Sequence, residues 1–202
     1  EEGRFDDREI GHYRRVIGSL RSLGMEPFPT LWHWTIPLWV RERGGIASPE
    51  FPRLFARFAG KVALEYGEDV RFWMTLNEPT SVISNAYIKG VWPPQKRDPL
   101  SFFTLARNLA RAHREGYAAI KSVAPETRVG IGHIMTDYAP PFSFLDPLVN
   151  RHLLDLCGSE TQDYIGLQYY FRKRIGFRKA RRSDMGWELH PDGICRLLKG
   201  LA

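Results

Sequence analysis

Glu78 directly follows Asn77 at the end of an apolar run, Arg71-Phe72-Trp73-Met74-Thr75-Leu76, and Pro79 breaks the chain immediately afterwards. A carboxyl group at the C-terminal end of a buried parallel strand is where a β/α barrel places its chemistry. Cleavage of a glycosidic bond needs such a group to protonate the departing oxygen, with a pKa raised by burial and neighbours. In the retaining version the same residue later deprotonates water, opposite a nucleophilic carboxylate about 5–5.5 Å away. An adjacent Asn suits a hydrogen bond to the sugar 2-OH, a contact that strengthens in the transition state. Taken alone, the pair reads equally well as a Glu that caps the helix opened by Pro79.

Two further segments carry groups that recognise sugars. In Thr30-Leu31-Trp32-His33-Trp34-Thr35-Ile36-Pro37-Leu38-Trp39, a histidine stands at a strand end among three tryptophans. Pyranose rings lay their apolar C–H faces on aromatic rings, and imidazole bonds hydroxyls. A lone His on an apolar strand is otherwise an ordinary core residue. In Gln168-Tyr169-Tyr170 a phenol could orient a carboxylate; by itself this triplet reads as strand packing.

The elements that must hold these groups alternate short apolar strands with longer amphipathic helices, which predicts parallel β/α units. Asp6 or Asp7 caps a helix with Ile10, Tyr13, Val16, Ile17 and Leu20 on one face, stopped at Gly24. A strand is expected from Glu26 to Trp34. Ser48-Pro49-Glu50 opens a second helix, with Phe51, Leu54, Phe55, Phe58, Val62 and Leu64 as its stripe. The strand of Asn77-Glu78 follows, then a long helix from Ser101 to Val123. Val129 to Ile134 reads as a third strand, Asp146 to Cys157 as a weak helix, and Asp163 to Tyr170 as a fourth strand. A helix from Pro191 to Leu201 ends the chain. This gives four strands, each with a following helix or helical loop, in a single domain spanning residues 1–202.

Composition narrows the classes. The chain has 202 residues with 12 Phe, 8 Tyr and 6 Trp, which argues for a folded globule and against disorder. No apolar run reaches membrane-spanning length. The chain opens on Glu-Glu-Gly-Arg, without an initiator Met or a targeting pattern, and reads as a mature or excised cytoplasmic piece. Cys157 and Cys195 are far apart, outside any metal-ligand spacing, and are expected to be reduced and buried in helices. No metal-ligand cluster or phosphate-cradling glycine loop appears, so neither a metal nor a cofactor is implied. Net charge is +6, and residues 172–182 alone hold seven basic side chains, so the rest of the chain sums to −1. With Phe171 and Phe177 nearby this segment could contact phosphates and bases. We read it instead as a solvated loop at the barrel mouth, not a nucleic-acid site.

Taken together, the order of the motifs resembles glycoside hydrolase family 1, the β-glucosidase family. The T-L-x-H-W-x-x-P strand, the F-W-x-T-L-N-E-P strand and Y-I-K-G-V-W-P-P at Tyr87 to Pro94 all match. So do Ala112-His113, the D-Y-I-G-L-Q-Y-Y strand, Met185-Gly186-Trp187-Glu188 and Pro191-Asp192-Gly193. The resemblance implies that Glu78 is the catalytic acid/base and Asn77 the 2-OH ligand. It likewise implies that His33 and Trp34 bind the glycone, and that Tyr170 is the tyrosine that hydrogen-bonds the nucleophile. Gln168 stands where the family usually has Asn, and is included among the substrate-binding residues. The implied ligand is a β-glucoside or related β-glycoside.

The I-T-E-N-G motif that holds the family's nucleophile does not occur in these residues. The matched segments resemble strands three to six of eight, so the expected fold is α/β, a partial TIM (β/α)8 barrel of about four units. Four parallel strands cannot close a barrel. Closure by a homodimer is the expectation, which would place one Glu78 opposite the other across the shared mouth. That separation suits a water-mediated geometry better than a close nucleophile. Asp137 and Glu188 are weaker local substitutes for the missing carboxylate. The expected activity is feeble β-glycoside hydrolysis; the alternatives are a carbohydrate-binding remnant, a fragment of a larger β-glucosidase, or an open rearranged sheet.

Overall fold

The computed structural model describes residues 2–174 and 181–201. Helix α1 (Asp7–Ser22) is capped by Asp6, whose carboxylate accepts from the Arg8 N–H at 2.9 Å, and it ends before Gly24 at φ 72°. Strand β1 (Thr30–Trp32) is only three residues long, shorter than the expected run. Pro29 precedes it, and Trp34, at φ 77°, turns the chain away. Pro37 caps the short helix α2 (Leu38–Glu42), and a 3-10 turn at Gly45–Ala47 leads to α3 (Phe51–Tyr66). Strand β2 (Phe72–Asn77) leads into α4 (Pro79–Val82), which continues as a π-helical turn over Ile83–Ile88. Next come the long α5 (Ser101–Val123) and β3 (Arg128–Tyr138). The expected weak helix resolves into 3-10 and π turns over Phe142–Arg151 and a short α6 (His152–Cys157). After a 3-10 turn at Ser159–Thr161, β4 (Tyr164–Lys173) and α7 (Gly193–Leu201) complete the molecule.

The four strands form one parallel sheet in the order β1-β2-β3-β4. It is not closed. One face, carrying Trp73, Val129 and Ile131, is covered by the helices and makes the core with Leu105, Leu109, Ile120, Ala59 and Ala63. Helices α3 and α5 meet closely because a Cβ on Gly116 would lie 2.7 Å from the Phe55 ring and one on Gly60 would touch Ala119. His113 on α5 ties this layer together: its Nδ1 shares a 2.6 Å hydrogen bond with the Thr75 hydroxyl of β2, and its Nε2 meets the Thr161 carbonyl at 2.9 Å. On the other face Phe28 stacks on Phe72 at 4.4 Å, Tyr164 packs edge-on, and Met74 lies over Gly132 and Gly166. This is the face that would line a barrel's interior.

Three expectations about burial need correction. Leu64 is 65% exposed and Phe58 40%, because the buried face of α3 runs through Phe55, Ala59, Ala63 and Tyr66. Tyr13 and Val16 of α1 are also exposed, and Ile17 is its only buried residue. Cys195 is exposed while Cys157 is buried. Gly193 and Leu197 mark the buried face of α7, and a residue two positions from each points away from it.

Candidate active site

Strand β2 ends the way its sequence predicts. Asn77 closes the strand, and Glu78 takes up a left-handed conformation (φ 42°, ψ 54°) before Pro79 starts α4. Non-glycine residues hold that conformation at a cost of about 1–3 kcal/mol, and it persists only when the surroundings over-determine it. Here the Glu78 N–H donates to the Gly132 carbonyl at 2.8 Å, and the Ser81 N–H donates to the Glu78 carbonyl at 2.9 Å. The result turns a 6% exposed carboxylate toward the strand ends.

Two hydroxyls hold that carboxylate. Tyr170 donates to Oε1 at 3.1 Å and Ser81 donates to Oε2 at 3.0 Å. Partial burial, and then the Glu78 charge, push the Tyr170 phenol above its ordinary pKa, so it stays a donor. Asn77, 4% exposed, sits at the centre of a second set of bonds. Its Oδ1 accepts from Gln168 Nε2 at 2.8 Å, its Nδ2 donates to His33 Nε2 at 3.4 Å, and its carbonyl accepts from the Trp34 indole at 2.9 Å. The Trp34 ring stands 4.8 Å from His33 and 4.7 Å from Trp92, forming an aromatic wall beside the carboxamide. The Gln168 Oε1 is buried with no hydrogen-bond partner among the described residues, an open acceptor at the same strand ends.

All six residues singled out from the sequence thus come together where β1 and β2 end and beside the middle of β4. Ser81 was not foreseen; its only signal is its place three residues beyond Glu78, one helical turn away. Trp92 belongs to the Y-I-K-G-V-W-P-P motif, and only its contact with Trp34 makes it a wall of the site.

A family model described as Glycosyl hydrolase family 1 matches residues 1–152. The chain belongs to that family. Beta-glucosidase A of Thermotoga maritima is 27% identical over 247 residues, covering 98% of this chain and 55% of the relative. The 1,4-beta-D-glucan glucohydrolase of Thermotoga neapolitana is 25% identical, covering 98% of this chain and 58% of its own length. Among solved structures, the beta-glucosidase from Thermotoga maritima in complex with deoxynojirimycin superposes with a TM-score of 0.88 at 26% identity, covering 98% of this chain and 55% of that one. The chain therefore spans little more than half the length of these relatives. The open four-stranded sheet is part of the TIM barrel that family members close.

The two weaker carboxylates are already engaged. Asp137, 1% exposed, accepts from Arg196 Nε at 2.6 Å and also pairs with Arg172 and His190. These contacts fasten α7 to β3 and β4, and Tyr169 adds a bond to the His190 carbonyl. Glu188 pairs with Arg174 at 2.7 Å. Of the basic segment, Phe177, Arg178 and Lys179 lie outside the described residues. No group of three or more potential metal ligands occurs among the described residues, and no helix there is long and apolar enough to cross a membrane.

Proposed function

We propose that this family 1 chain binds β-glucosides or related β-glycosides at the Asn77-Glu78 site, with Glu78 as general acid and base. The observation that carries this reading is the Glu78 carboxylate itself, held in a strained left-handed turn at a strand end by Tyr170 and Ser81. His33, Trp34 and Gln168 recognise the glycone, with the indoles stacking on its C–H face and the free Gln168 acceptor taking a hydroxyl. A protonated Glu78 delivers its proton to the departing oxygen as the glycosidic C–O bond breaks, and its carboxylate then accepts a proton from the water whose oxygen bonds to the anomeric carbon. Two copies closing one barrel, in the cytoplasm, complete the reading, with the 202 residues acting as one domain. Turnover is slow, because no carboxylate among the described residues shares a hydrogen bond with Tyr170 other than Glu78.

Aryl-β-glucoside hydrolysis tests the proposal. Slow turnover in the parent and none in Glu78→Gln is the expected result; equal turnover in both would overturn it. Tyr170 favours a second reading, since its phenol is spent on Glu78 rather than on a nucleophile. In that reading the chain binds sugar without cleaving it, and calorimetry with glucose or cellobiose would show binding where hydrolysis is absent.

A further inference from the structure

Strand β4 carries one residue more than the strand beside it. Met135 pairs with Tyr169 and Asp137 with Arg172, so Tyr170 and Phe171 together stand opposite Thr136. The extra residue makes a β-bulge. In a regular strand neighbouring side chains point to opposite faces. Here both rings meet Trp187, with centroids 5.7 and 5.4 Å away. Bulges recur beside active sites because they re-aim a side chain. The side chain re-aimed here is Tyr170, the donor to Glu78.

The bulge is held on both sides. Before it, the Tyr169 hydroxyl donates to the His190 carbonyl at 2.5 Å. After it, Arg172 pairs with Glu188 in an antiparallel bridge and turns its guanidinium to Asp137, with Nε 3.3 Å from Oδ2. Trp187, Glu188 and His190 belong to one short segment, which folds back on itself where the Ser183 N–H donates to the Trp187 carbonyl and the Leu189 N–H to the Arg181 carbonyl. Asp137 gathers these parts. It is 1% exposed, and besides Arg172 it pairs with His190 at 3.5 Å and with Arg196 of α7. Gly193 fits against it only for want of a side chain, since a Cβ there would lie 2.2 Å from the Tyr169 hydroxyl and 3.0 Å from the Asp137 carboxylate.

We propose that Asp137 is a positioning residue for Glu78, acting through the bulge of β4. By holding Arg172 after the bulge and His190, whose carbonyl takes Tyr169, before it, one buried carboxylate keeps Trp187 against Tyr170 and fixes the direction of the phenol. Asp137 touches no reacting group itself. Its bearing on catalysis rests on the proposed role of Glu78, whereas the seating of Tyr170 does not.

Fluorine NMR of the protein carrying meta-fluorotyrosine is the test, with the Tyr170 resonance assigned as the one lost in Tyr170→Phe. Glu78→Gln should displace that resonance, because the phenol loses a charged acceptor. Asp137→Asn keeps the shape and removes the charge, and should displace it in the same direction by at least half as much. Trp187→Leu, on a partly exposed side chain, should do the same without disturbing a buried charge. Ile120→Val loosens the core away from the bulge and should leave the resonance in place. With an aryl-β-glucoside, kcat of Asp137→Asn should fall roughly tenfold while KM holds. A Tyr170 resonance that stays in place in Trp187→Leu or in folded Asp137→Asn, that ignores Glu78→Gln, or that moves equally in Ile120→Val would overturn the proposal. The expected displacements in a protein that neither binds nor hydrolyses glucosides would uphold the seating of Tyr170 and remove the sugar reading instead.

Discussion

Asn77 answers three neighbours at once, accepting from Gln168 and Trp34 while facing His33. The bond from Trp34 fixes the backbone carbonyl, while Gln168 and His33 hold the buried side-chain carboxamide between them. Gln168→Leu takes away one of these bonds and leaves the buried Asn77 Oδ1 without its donor. The loss is worth about 1–1.5 kcal/mol, so affinity for glucose should fall roughly tenfold in calorimetry while circular dichroism stays unchanged. Asn77, Glu78, His33 and Trp34 were legible in the sequence because each follows an apolar strand at its C-terminal end. Ser81 was not, because a serine one turn into a helix is unremarkable until the left-handed Glu78 brings the carboxylate back over it.

The parallel units were readable from alternation, since strand runs and helix stripes have different periods. What periodicity missed was local. Pro27 and Pro29 have no N–H to give a ladder, so the expected strand from Glu26 shortens and β1 holds only Thr30 to Trp32. In α3 the apolar residues cover more than half the circumference, so Phe58 and Leu64 were assigned to a core they do not enter. The glycines of β3 make the opposite point, because their meaning appears only with a neighbour. A Cβ on Gly130 would lie 2.3 Å from the Tyr164 carbonyl oxygen, a backbone atom of the next strand. Gly130→Ala must therefore part β3 from β4, and overpacking of this kind costs roughly 2–3 kcal/mol. A lower urea midpoint with an unchanged m-value is the expected result.

For the molecule as a whole, two buried imidazoles set the acid limit. Burial lowers His113 and His133 to about 4, only partly opposed by the carbonyls of Thr161 and Asn150. Unfolded, each titrates near 6.5. Between those values the unfolded chain holds more protons, so stability rises with pH across that window. The stabilisation is complete above about 6.5 and is lost as pH falls toward 4, on the order of 3 kcal/mol per imidazole. Urea midpoints at pH 7.5 and pH 5 should differ accordingly, and His133→Phe should flatten the dependence. That these four strands form one open sheet was also legible, from their count. The strand order carries a consequence in time. Because β1, β2, β3 and β4 lie side by side in the order they are made, each strand finds its neighbour already present as the chain emerges, and no pairing inside one molecule waits for a distant segment. Refolding should accordingly show a rapid phase whose rate is indifferent to protein concentration.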